Sequence, residues 1–97
     1  MRVHFSQHFL RRAKARQFST DDAKKIYYRP EHKFFDNDPD NMSNISVRRL
    51  QYGGSLRLIL LAFAYDRGNK RVIIKTIHPI TSDQMNNRIK VGRWTPR

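Results

Sequence analysis

This chain contains no cysteine. Disulfide bridges, thiolate nucleophiles and cysteine-ligated zinc are therefore excluded, a composition that suits a reducing cytosol. Acidic side chains are also scarce: eight Asp and Glu stand against twenty Lys and Arg. Most of those eight fall in expected turns or helix caps, which leaves too few for a paired-carboxylate hydrolase. The four glycines form no phosphate-cradling loop, and Tyr52-Gly53-Gly54-Ser55 reads as a hairpin turn. No Gly-x-Ser-x-Gly elbow is present, and acids are too scarce for a convincing serine triad. Of the four histidines, only His4 and His8 stand at i, i+4, and no carboxylate accompanies them at a metal-ligand spacing. Neither a metal nor a cofactor is expected. The longest apolar run is far shorter than the ~18–20 residues of a membrane span. Arg2, His4, Arg11, Arg12, Lys14 and Arg16, with no apolar stretch between them, do not read as a secretory leader. The expectation is a cytoplasmic protein that does not enter the membrane.

What is present centres on Ser55–Tyr65. Leu56, Leu58, Ile59, Leu60, Leu61, Ala62, Phe63 and Ala64 are interrupted only by Arg57. The absence of alternation, with Gly53-Gly54 before and Asp66-Arg67-Gly68-Asn69 after, predicts a central strand covered on both faces over its second half. Val72–His78 is rich in β-branched residues and follows a short turn, so it reads as the hairpin partner. Ninety-seven residues make a single domain, with 1–91 globular and 92–97 a basic tail that includes Arg93.

The remaining elements follow in order. Arg2–Phe5 alternates as a first strand. Ser6 caps a helix over Gln7–Gln17, whose apolar side is Phe9, Leu10 and Ala13. On another side His8, Arg12 and Arg16 form one stripe. Ser19 caps a second helix, with Asp21 and Asp22 at its positive end, and Arg29-Pro30 terminates it. Lys33–Phe35 is a short strand and Asp36–Asn41 a loop dense in turn formers. Ile45–Tyr52 is a strand whose apolar phase changes partway, where a bulge would sit. Thr81 and Gln84 form a capping box for a helix carrying Met85 and Ile89 that stops before Gly92. The order β-α-α-β-β-β-β-α predicts an α+β fold. Its sheet would be mainly antiparallel with four to five strands, two N-terminal helices packed on one face and a short C-terminal helix at its edge or other face.

A net charge of +12 on so small a domain points to a polyanion or an acidic protein as partner. The chemistry left open is one run by cations. RNA is cleaved without metal when its 2′-hydroxyl attacks the adjacent phosphate, which needs donors for the phosphorane charge and a group that moves a proton. Arginine suits the first task and histidine the second. Arg57, Arg71, Lys75, His78 and the His8/Arg12/Arg16 stripe are the candidates. Each has a plainer role beside it: Arg57 as a snorkelling side chain, His78 as a strand-end histidine bonded to backbone, the stripe as a solvated helix face.

The string His8-x-x-x-Arg12-x-x-x-Arg16, then Phe18-Ser19 and an acidic capped helix ending at Arg29-Pro30, resembles the N-terminal half of a small bacterial family. That family comprises uncharacterised proteins allied to the RelE/BrnT-type toxins of type II toxin–antitoxin systems. The hairpin, the long apolar strand and Val72-Ile73-Ile74-Lys75-Thr76-Ile77-His78-Pro79 resemble its C-terminal half. Together they cover residues 3–80. The resemblance implies a compact RelE-like α+β fold and a metal-independent endoribonuclease acting on mRNA, ribosome-bound mRNA included, until an acidic antitoxin blocks it. Arg57, Arg71 and His78 would then be catalytic, with His8, Arg12, Arg16, Lys75 and Arg93 contacting nucleic acid. Two features depart from the family pattern: His78 stands where relatives carry a tyrosine, and the basic tail lacks a Glu-Arg-Arg-x-x-Tyr ending. Two alternatives stand beside the toxin reading, a non-catalytic basic RNA- or DNA-binding module and a basic interaction domain for an acidic protein.

Overall fold

The computed structural model describes residues 2–97. Six strands, β1 Arg2–Phe5, β2 His32–Asp36, β3 Ser43–Tyr52, β4 Ser55–Asp66, β5 Arg71–Pro79 and β6 Trp94–Pro96, form one sheet in the order β1-β5-β4-β3-β2-β6. Three helices, α1 Gln7–Ala15, α2 Thr20–Tyr28 and α3 Ser82–Lys90, complete the chain. The helix starts are chemically explicit. Ser6 Oγ accepts from the Phe9 amide, while Ser19 with Asp22 and Thr81 with Gln84 close full capping boxes.

The expected sheet of four to five mainly antiparallel strands is overturned in two respects. First, the sheet is mixed: β1 runs parallel to β5, pairing Arg2 with Arg71 through Phe5 with Ile74. Alternation in Arg2–Phe5 marks a strand but carries no information on direction, which is fixed by where the intervening elements return the chain. Second, a sixth strand comes from residues expected to be a basic tail. Gly92, at φ +79°, takes a left-handed conformation after α3 and turns the chain back. Trp94, Thr95 and Pro96 then pair with Asp36, Phe35 and Phe34. Trp94 stacks on Phe34 at 5.1 Å and is only 2% exposed. Pro96, lacking an N–H, is tolerated because β6 is an edge strand.

The central position of β4 gives both layers their core. Ile59, Leu61 and Phe63 point to one face and pack with Phe9, Ala13, Phe18, Ala23 and Ile26 of the N-terminal half, together with Val72, Ile74 and Ile77. Leu60 and Ala62 point to the other, where Phe34, Ile45, Val47, Ile80, Met85 and Trp94 join them. The bulge expected in Ile45–Tyr52 is not there, since β3 and β4 pair without slippage from Asn44–Phe63 to Tyr52–Ser55. It lies between β4 and β5, where Ala62 pairs Thr76 and Phe63 pairs Ile74, leaving Lys75 as the extra residue. No helix among the described residues is long and apolar enough to cross a membrane.

Candidate functional site

Arg57 and Arg71, expected to share one phosphate, lie at opposite ends of the β4–β5 hairpin, Arg57 on β4 and Arg71 on β5. Arg57 pairs with Leu50 near the Gly53-Gly54 turn, its guanidinium 5.6 Å from the Tyr52 ring. Arg71 pairs with Asp66 across the far hairpin and binds its carboxylate, Nε to Oδ2, at 3.1 Å. Asp66, the partner of Arg71, stands nine residues beyond Arg57 on β4; at ~3.4 Å per residue the two arginines are separated by about 30 Å. One phosphorane cannot touch both.

The helical stripe also divides. His8 and Arg12 are exposed on α1, whereas Arg16, at its C-cap, donates from Nη1 to Thr76 Oγ1 at 3.2 Å and to the Ile77 carbonyl at 3.0 Å. β1 ends opposite Ile74, so the next stretch of β5 has no strand on that side, and Arg16 supplies the missing donor. The Tyr52 hydroxyl donates in turn to the Arg16 carbonyl at 2.9 Å.

Three other expected residues do meet. Lys75, His78 and Arg93 line a cavity of about 300 Å³ on the α3 face of the sheet, bordered by the β2–β3 loop. Asp36, Arg88 and Trp94 line it too. His78 Nδ1 lies 2.9 Å from the Pro79 carbonyl. A carbonyl only accepts, so Nδ1 carries the proton and Nε2 of the neutral ring is left as an acceptor. Lys75 donates two of its three N–H groups, to the Met42 carbonyl and to Ser43 Oγ, both at 3.0 Å, and so fastens the β2–β3 loop to β5. One N–H remains.

The charges around the cavity are unequal. Asp36, 4% exposed, accepts from Arg93 Nε and Nη2 at 3.2 Å each, and from the Asp38 amide at 3.0 Å. The bond to Asp36 raises the Arg93 guanidinium above its ordinary range. Arg88 differs: burial, then the nearby Arg93 charge, lower it from the ordinary value, with Asp36 opposing weakly. Its guanidinium lies 4.9 Å from the Trp94 ring centroid, and it forms no ion pair among the described residues. Arg88 is thus a half-buried cation held on an aromatic face without a direct ion pair, since Asp36 is taken up by Arg93, an arrangement that favours an incoming anion. Trp94 Nε1 is itself buried without a partner.

Arg88 and Asp36 were absent from the expected set, yet both left a trace in the sequence. Arg88 follows Met85 by three residues, which places it toward the inward side of α3. Asp36 follows Phe34 by two and so shares its face of β2. Among the described residues no group of three or more His, Asp or Glu side chains is gathered to hold a metal. Compared with protein-family models, curated proteins and solved structures, the chain matches none.

Proposed function

We propose that this protein binds RNA and cleaves it without a metal in the His78 cavity, as a toxin-like endoribonuclease held in check by an acidic antitoxin. The observation that carries the reading is His78 with Nδ1 committed to backbone and Nε2 left to accept, in one cavity with Arg88, which forms no ion pair among the described residues. The sequence resemblance over residues 3–80 and the +12 charge support the same direction. His78 Nε2 takes the proton of the 2′-hydroxyl as that oxygen attacks phosphorus. Arg88 and the free N–H of Lys75 meet the charge that builds on the non-bridging oxygens. The 5′-oxygen leaves and is protonated from water. The products are a 2′,3′-cyclic phosphate and a 5′-hydroxyl end.

Arg57 and Arg71 have no part in this scheme. The test is cleavage of end-labelled RNA, free and ribosome-bound, with a chelator present. Wild-type protein yields cyclic-phosphate ends; His78→Ala lowers the rate about 10²–10⁴-fold and Arg88→Ala about 10²–10³-fold, while Arg57→Ala cleaves normally. Salt-sensitive RNA binding with no cleavage on either substrate would replace the enzyme with a non-catalytic RNA-binding module. No RNA binding at any salt would leave an acidic protein as the partner.

A further inference from the structure

The face of the sheet opposite the His78 cavity carries a run of aromatic rings that the core does not fully explain. Tyr28, Tyr27, Phe63 and Tyr65 succeed one another at centroid spacings of 5.0, 5.1 and 5.7 Å, each pair edge to face. The middle of the run belongs to the core, where Phe63 is buried and Tyr27 packs against it. The ends do not: Tyr28 is 63% exposed and Tyr65 45% exposed. Two large rings exposed to solvent are a surface suited to contact, because covering their faces removes apolar area from water while the hydroxyls can still hydrogen-bond.

Cations bracket both ends. Beside Tyr28, an open groove is lined by Lys24, Lys25, Arg29 and Arg48, with Asp21 as its carboxylate. Beside Tyr65, a hollow is lined by Lys33 and Arg97 as well as Phe63. Arg97 lies 4.8 Å from the Phe35 ring centroid. Neither Lys33 nor Arg97 forms an ion pair among the described residues. Glu31 and Asp36, the acids closest to Lys33 in the chain, are taken up by Arg49 and Arg93, and Asp66, next to Tyr65, by Asn69 and Arg71. Exposed rings between unneutralised cations match a ligand that offers flat π-faces and regularly spaced anions together. Unpaired nucleotides have both; an acidic protein surface offers only the charge.

We propose that this ridge is a stacking platform for single-stranded RNA, with Tyr28 and Tyr65 taking base faces while Lys33 and Arg97 hold phosphates. The proposal rests on the reading that the protein binds RNA, and it places a second contact on the face away from the cavity. Because stacking ignores base identity, the platform confers affinity for unpaired strands without a sequence preference. It recognises the substrate's single-strandedness, and the cavity acts on its backbone.

The test is fluorescence anisotropy with a labelled, 2′-O-methylated single-stranded oligonucleotide that cannot be cleaved, and with its duplex. Tyr28→Ala/Tyr65→Ala should weaken single-strand binding on the order of tenfold per ring, leaving duplex binding unchanged. Its salt slope should match wild type, since no phosphate contact is lost. Tyr28→Phe/Tyr65→Phe keeps both rings and should bind as wild type, which separates stacking from folding defects. Lys33→Ala/Arg97→Ala should lower the log–log salt slope by about 0.7 per cation. Undiminished single-strand affinity in the alanine pair overturns the platform while leaving the cavity reading intact. So does a wild-type dimer that the alanine pair dissociates at unchanged RNA affinity, which would make the ridge a protein-docking face. Tighter binding of the deoxy counterpart overturns the choice of RNA. Absence of RNA binding by wild type overturns the platform and the cavity reading together.

Discussion

Tyr27 is half-buried beside Phe63, and its phenol is pushed from 10.0 up to about 12, by burial first and by Tyr65 second. Because the folded value lies above the unfolded one, the folded chain keeps a proton that the unfolded chain releases. The associated stability is complete below pH 10 and is lost as pH rises toward 12. Tyr27→Phe should therefore remove the step near pH 12 from the phenolate absorbance titration. It should also flatten the decline in denaturant midpoint across that interval; an unchanged titration curve would show that another tyrosine supplies the step. The same dependence on surroundings limits what could be read at the reactive residues. His78 stood out because it ends a β-branched run, a local signal. Arg88 did not, since an arginine on a polar helix becomes distinctive only once Trp94 lies under it and Asp36, the acid that shares its cavity, is taken up by Arg93.

The elements that announced themselves did so through local chemistry. Ser19 with Asp22 and Thr81 with Gln84 are capping boxes that any chain would use to start a helix, and both form as spaced. Gly53 and Gly54, at φ +61° and +86°, supply the positive dihedrals that a two-residue hairpin requires. β6 gave no such signal. Three residues that end in proline carry no periodicity, and their strand character comes from Phe34 and Phe35, far earlier in the chain. What holds β6 is Trp94, buried on Phe34, with Asn37 donating to Thr95 Oγ1 at 2.6 Å and to the Gly92 carbonyl at 3.3 Å. Trp94→Ala should cost about 3–5 kcal/mol, the range for deleting a buried aromatic. Urea unfolding would measure it, and a loss under 1 kcal/mol would restore the basic tail that the sequence suggested. The change also withdraws the ring beneath Arg88, so RNA cleavage should fall even where the fold survives.

At the scale of the molecule, a sheet covered on both faces separates two surfaces. The N-terminal helices lie over one face, which ends in the aromatic ridge; α3 lies over the other and borders the His78 cavity. The +12 charge was legible from composition alone, but its division between faces was not, because that depends on strand order. Arg57 and Arg71 show the difficulty most plainly. Adjacent strands suggested adjacent side chains, whereas an antiparallel hairpin puts residues near its open end and its turn a full strand apart. Lys75 and His78 belong to the same apolar run at opposite parities, and the bulge at Lys75 carries both to the cavity.

The proposed meeting place of RNA and protein is the cavity between α3 and β5. It is tested most directly by nuclear magnetic resonance, titrating isotope-labelled protein with a 2′-O-methylated RNA at physiological salt. Resonances of Lys75, His78 and Arg88 should shift together and saturate at one affinity, with His78 Hε1 among the largest movers. Shifts confined to His8, Arg12 and the outer surface of α1, with the cavity residues unmoved, would contradict it.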